Sequence, residues 1–294
     1  MADQVEITEP GVYDIPAEVY HADPVPGGSL SSSGARRLLP PSCPAVFRYE
    51  QEHGRTPKRE FDLGHAAHRL VLGDGNGPDL VVIDADNYRT KAAQARRDEA
   101  HARGAVPLLT AEHEQVAAMA RAILEHPLAA ALFNPDTGGH PERSLFWRDE
   151  PTGVMMRARL DWLPRWSGSG RLIVPDYKTT KSAEPDAIQR AIYDRGYHMQ
   201  GVWYLSGVTA LGLAGEQPPV FVFVFQEKTP PYVVTVAQLD VRAIQIGQAL
   251  NRRALQVYAE CSASGRWPGY ADDVVTVSLP GWAVNRYLDE LEIA

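Results

Sequence analysis

From Met156 to Asp161, apolar and polar positions alternate strictly. Val154, Met156, Ala158 and Leu160 therefore share one face of a strand, and Arg157, Arg159 and Asp161 share the other. Further on, Leu172-Ile173-Val174-Pro175-Asp176-Tyr177-Lys178-Thr179 predicts a short apolar strand ending in an Asp and a Lys two residues apart. Strand side chains alternate, so Asp176 and Lys178 point one way and Tyr177 the other. Further strands are predicted at residues 80–83 and 144–147, and a hairpin at 220–227 and 232–236 around Thr229-Pro230-Pro231.

Helical spacing takes over elsewhere. It predicts helices at residues 61–72, stopped by Gly73-Asp74-Gly75; at 88–103; and at 111–125 behind Thr110 as N-cap. Others follow at 185–195, where Pro185 suits the first turn and Gly196 the stop, at 197–213, and at 240–261. Near the start, residues 12–20 form an extended segment broken at Pro16, and Ser31-Ser32-Ser33 cap a helix over 35–39. A short helix is expected after Pro280. The pattern predicts an α/β fold with a central mixed β-sheet flanked by helices and an N-terminal helical region. We expect one domain over 1–294, comprising an N-terminal region (1–60), a core (61–261) and a tail (262–294).

Composition narrows the field. A hydrophobic fraction of 44% supports a sizeable core. No apolar run approaches the roughly 18 residues that span a bilayer, and the acidic start lacks the basic and apolar parts of a signal peptide, so a cytoplasmic protein is expected. The two cysteines, Cys43 and Cys261, cannot supply a four-cysteine metal or iron–sulfur site. A net charge of -8 argues against coating nucleic acid with the whole exterior, so a DNA-binding surface would be a local patch or channel.

A buried strand has no packing use for a carboxylate beside an ammonium. Phosphodiester hydrolysis does: the carboxylate holds a divalent metal and the ammonium sits beside the attacking water. Asp161 on the preceding strand would be a second carboxylate. The structural alternatives are a salt-bridged solvated face for Asp161 and a surface ion pair for Asp176 and Lys178. Pro175 removes a ladder N–H next to Asp176, which predicts a bulged or splayed strand there. On the helix over 61–72, His65 and His68 are close enough to share a face near Gly64, as metal ligands or as structural histidines. Gln200 and Tyr204 stand one turn apart, able to brace a lysine or bind phosphate, or simply to form a polar helix face. Glu142 precedes Asp161 as a further carboxylate or as an ordinary surface Glu.

Taken in order, Gly64-x-x-x-His68, Glu142, Asp161, Asp176-x-Lys178 and Gln200-x-x-x-Tyr204 resemble the RecE-type (exonuclease VIII-like) branch of the PD-(D/E)xK nuclease superfamily, found in phages and prophages. The opening Tyr20-His21-Ala22-Asp23 and the stretch from Leu30 to Leu39 add to the resemblance, which spans residues 11–261. It implies that His68, Asp161, Asp176 and the Tyr177 carbonyl hold Mg²⁺ or Mn²⁺ and that Lys178 is the catalytic lysine. Glu142 would then be a supporting acid, with Gln200 and Tyr204 a helix motif behind the site. It implies a 5′→3′ exonuclease resecting double-stranded DNA ends for phage-type recombination in a bacterial cytoplasm. A toroidal homo-oligomer and a single-strand annealing partner are implied too. The residue before Tyr177 is Asp where Glu is frequent, and the missing cysteines set the chain apart from the iron–sulfur branch.

For the DNA path, Ser33, Arg36 and Arg37 at a helix start suit a terminal phosphate. Lys91 and Arg97, with Arg89, Arg96 and Arg103 spaced by sevens, suit a basic stripe or a solvated helix face. Arg159 is a further candidate DNA contact. Two competing functions share the fold: an endonuclease or flap-processing nuclease, and a catalytically idle DNA-binding protein.

Overall fold

In the computed structural model the described residues are 5–54, 60–73 and 79–291, with side chains in the first helix after the gap described from residue 66. His65, Gly64 and the stop after Gly73 fall outside the described side chains or residues. The N-terminal part runs β1 (Gly11–Tyr13), α1 (Ala17–His21), β2 (Leu30–Ser31), α2 (Ser32–Arg37), α3 (Pro44–His53) and α4 (Glu60–Leu72). Next come β3 (Leu80–Ile83), α5 (Lys91–Ala102), β4 (Val106–Leu109), α6 (Thr110–Glu125) and α7 (Pro127–Leu132). The central part is β5 (His140–Arg148), β6 (Met155–Leu163), β7 (Ile173–Thr180), α8 (Pro185–Arg195) and α9 (Tyr197–Ala210). Then follow β8 (Val220–Glu227), β9 (Val234–Gln238), α10 (Val241–Ser264) and α11 (Gly281–Leu291).

The fold is mixed α/β with helices flanking the sheets, and the sheet surface is divided into three. One sheet has the order β1-β5-β6-β2, a second pairs β3 with β4 in parallel, and the third has the order β7-β8-β9. The parallel β7–β8 register sets Asp176 beside Phe223 and Lys178 beside Phe225. Phe221, Phe223 and Phe225 pack with Val174 and the α9 residues Met199 and Trp203 in one core, while Tyr177 and Val224 belong to another with Ala66, Met119 and Ile123. The β7–β8 pair is thus largely apolar on both faces, as a covered parallel pair should be, with Asp176, Lys178 and Glu227 its charged exceptions.

Close helix packing places α9. Gly247 of α10 lies so near α9 that a Cβ there would stand 2.3 Å from the His198 carbonyl oxygen, so only glycine permits this crossing.

Several local expectations are corrected. The segment around Pro16 is not uniformly extended: Pro16 is the N-cap of α1, and Tyr20 lies in that helix. The N-terminal region is not only helical, because β1 pairs with β5 and β2 with β6, supplying both edges of the β5–β6 sheet. Thr110 opens α6 as its first residue, and Leu109 is the N-cap, its N–H donating to Glu112 Oε2 at 2.8 Å. No single described helix is long and apolar enough to cross a membrane.

Candidate active site

β6 and β7 run side by side but belong to different sheets, and a side chain bridges the seam. The Tyr177 N–H donates to Asp161 Oδ2 at 2.7 Å. Pro175 does not produce the expected bulge: β7 pairs with β8 in unbroken register from Ile173 to Thr180, Pro175 lying beside Val222. Asp176, 1% exposed, lies beside Lys178, whose Nζ is 2.5 Å from Asp176 Oδ2. The other oxygen, Oδ1, accepts from Gln200 Nε2 at 2.9 Å. Tyr204, one turn further along α9, packs edge-on against Phe221 behind this contact.

His68 arrives from the other side on α4, which packs against both β6 and β7. Its Nδ1 is 3.7 Å from Asp161 Oδ2, and its ring meets the Tyr177 ring edge-on at 5.0 Å. The Tyr177 side chain points away from Asp176 and Lys178, as strand alternation requires, and its hydroxyl donates to Gln226 Oε1 at 2.5 Å.

Glu142 completes the cluster from β5. In the β5–β6 register it faces Asp161, between the pairs Pro141↔Trp162 and Arg143↔Leu160, yet forms no pair there itself. Its φ of 54° lies in the left-handed region, a costly backbone for a glutamate. Among the described residues, His68, Glu142 and Asp161 offer ligand atoms that all lie within 4.8 Å of one another. Asp176 stands outside that close group, engaged by Lys178 and Gln200.

The electrostatics fit a cation. Burial raises the Asp161 carboxyl, against the pull of Lys178, the Tyr177 N–H and Arg159. Burial, then the charge of Asp161, pushes Asp176 up to about 7, with Lys178 pulling the other way. Burial works against the Lys178 ammonium, but the two carboxylates outweigh it and hold the lysine charged. One ammonium thus serves two buried carboxylates. Asp176 Oδ2, although close to Lys178, has no aligned hydrogen-bond donor among the described residues. Two or three carboxylates with one imidazole form a hard, oxygen-rich donor set suited to Mg²⁺ or Mn²⁺.

One contributor escaped the sequence reading. Tyr197, three residues before Gln200 on α9, places its ring 5.1 Å from Lys178 Nζ and leans on Phe223 and Phe225. The i, i+3 spacing to Gln200 was its only signal.

The candidate DNA contacts fare differently. Arg159 is corrected: its side chain is 9% exposed, and Nε donates to Glu142 Oε2 at 2.6 Å. A guanidinium held inside the protein is not a phosphate contact. Arg36 donates to the Asp194 and Arg195 carbonyls at the end of α8, and Arg37 pairs with Glu50 at 2.9 Å, so neither guanidinium waits for a terminal phosphate. The Ser31 side chain caps α2 by accepting from the Gly34 N–H, with exposed Ser33 3.2 Å away. Lys91 is exposed at the start of α5, which packs on β3 and β4. The basic stripe is broken, because Arg89 precedes α5 and Arg103 follows it.

The family described as a PDDEXK-like domain of unknown function (DUF3799) matches residues 32–279. No curated protein matches the chain. Among solved structures, a protein from Eubacterium rectale described as a "putative exonuclease" superposes with a TM-score of 0.56 at 11% identity, covering 92% of this chain and 98% of its own. At that identity the likeness concerns the fold alone. The structure of SSO0001 gives a TM-score of 0.29 at 13% identity, over 72% of this chain and 88% of that one, too slight to bear on the fold.

Proposed function

The chain belongs to the DUF3799 family of PDDEXK-like domains, and from that premise we propose that it is a divalent-metal-dependent deoxyribonuclease. The finer reading is a RecE-type exonuclease that hydrolyses phosphodiester bonds from duplex ends, 5′→3′, in phage-type recombination. The observation that carries the proposal is the meeting of Asp161, Asp176 and Lys178 at one seam, with His68 and Glu142 beside them.

His68, Asp161, Asp176 and the Tyr177 carbonyl, with Glu142 adjoining, would hold Mg²⁺ or Mn²⁺. The metal supplies a more acidic water and neutralises charge on the phosphate. Lys178, kept charged by the two carboxylates, orients the attacking water or stabilises the crowded phosphorus. Gln200 fixes the Asp176 carboxylate, and Tyr204 packs behind it against Phe221. Tyr197 limits where the lysine ammonium can swing. A toroidal homo-oligomer, a single-strand annealing partner and a single nuclease domain over 1–294 belong to the same proposal.

The test is incubation with linear duplex and covalently closed circular DNA, each with Mg²⁺, Mn²⁺ or EDTA. Metal-dependent loss of the linear form with the circle intact is expected. Cutting of the circle would replace this reading with an endonuclease, and turnover in EDTA would overturn the metal dependence.

A further inference from the structure

Resting on the metal-dependent reading above, we propose that Arg159 is a positioning residue that holds Glu142 in the site and is anchored by the chain before residue 32.

The guanidinium has three fixed partners. Nε donates to Glu142 Oε2 at 2.6 Å, and Nη1 donates to the Ile15 carbonyl at 2.8 Å and to Ser144 Oγ at 3.1 Å. A planar fork with its donors engaged in different directions cannot rotate, so it fixes where the Glu142 carboxylate lies. Glu142 needs such a hold. Its left-handed backbone leaves the β5–β6 ladder at the very residue facing Asp161, so the ladder does not orient it.

The Ile15 anchor is itself built in. Ile15 packs in a core with Ile7, Tyr20, Val25, Phe146 and Met155. Two residues back on the same face, Arg157 repeats the device: it pairs with Asp23 at 2.5 Å, donates to the Ser29 carbonyl at 2.9 Å and lies over the Tyr20 ring. The charged face of β6 is thus a row in which two arginines bind the N-terminal segment and the third position, Asp161, faces the site. That segment lies ahead of residues 32–279, the family-matched span, yet it closes the wall behind Glu142.

A competing effect has the opposite sign. If Arg159 merely neutralised Glu142, removing it would strengthen cation binding. The two are separated by Mn²⁺ titration calorimetry on the full chain, without DNA, for wild type, Arg159→Gln, Glu142→Gln and the double variant. Positioning predicts Mn²⁺ binding weakened about 10- to 100-fold in Arg159→Gln. It also predicts that the double variant binds no more weakly than Glu142→Gln alone, because Arg159 acts through Glu142. Unchanged or tighter binding in Arg159→Gln, or losses that multiply in the double variant, would overturn the proposal while leaving the metal-dependent reading intact. A wild-type chain that takes up no Mn²⁺ would overturn both. Should Arg159→Gln fail to fold, Arg159→Lys keeps the charge, loses the fork and is judged by the same two criteria.

Discussion

Asp161 and Tyr177 are joined by a single hydrogen bond, side-chain carboxylate to backbone amide, across a seam that no sheet ladder closes. The bond turns one carboxylate oxygen toward the backbone between Asp176 and Lys178. It explains how two strands of different sheets can hold their charged residues in register. It also means that Asp161 is both a chemical group and a structural tie.

Lys178 is the group whose loss should separate chemistry from binding. Lys178→Ala is expected to lower the rate of cleavage of linear duplex by about 100-fold or more. DNA affinity, measured by fluorescence anisotropy with Ca²⁺ in place of the working metal, should change little. Near-normal cleavage would remove Lys178 from the mechanism.

Asp176 should cost the metal-free protein stability at neutral pH. Its folded pKa, about 7, lies above the ordinary 3.8. The acid form is therefore favoured by folding: the contribution is complete below about pH 4 and is lost as pH rises toward 7. The loss is of the order of a few kcal/mol. In EDTA, the melting temperature of Asp176→Asn should exceed that of wild type at pH 8 and approach it at pH 4. Mn²⁺ should raise the wild-type value and leave the variant nearly unmoved. A variant less stable than wild type at pH 8 would contradict this assignment of strain.

Gln200 and Tyr204 act at one remove. Gln200→Ala and Tyr204→Phe should each reduce kcat by roughly 10-fold, with little change in KM for DNA. A loss confined to KM would instead place them on the DNA path.

Arg36 is expected to matter for stability and not for end recognition. It donates to the last carbonyls of α8 and crosses Gly196, whose φ of 68° ends that helix and whose added Cβ would stand 2.6 Å from Arg36 Cδ. Arg36→Ala should destabilise by about 1 kcal/mol in urea unfolding. Gly196→Ala should cost about the same or more, through its left-handed backbone. Both should cleave 5′-phosphorylated and 5′-hydroxyl ends in the wild-type ratio. A selective loss on phosphorylated ends would restore the binding role for Arg36.

What was legible in the sequence was local. Alternation along β6 and β7 placed Asp161, Asp176 and Lys178 on strands with the right faces, and the helix periods located α4, α8, α9 and α10 to within a few residues. Alternation could not say what covers a face. Arg159 stood beside Asp161 and looked available, but the cover is Ile15, far earlier in the chain. Arg36 failed as a phosphate ligand for the same reason, since its partners are carbonyls of α8. Val106 to Leu109 went unseen as a strand because four apolar residues with a proline carry no period.

The left-handed backbone at Glu142 has a consequence for how the chain tolerates change. Glycine would relax that position, and asparagine would bear it more easily than glutamate does. Either change would also take the carboxylate from the nearly buried Arg159 guanidinium, a loss larger than the backbone strain it relieves. In a library selected only for thermal endurance, residue 142 should therefore change together with Arg159 and seldom alone.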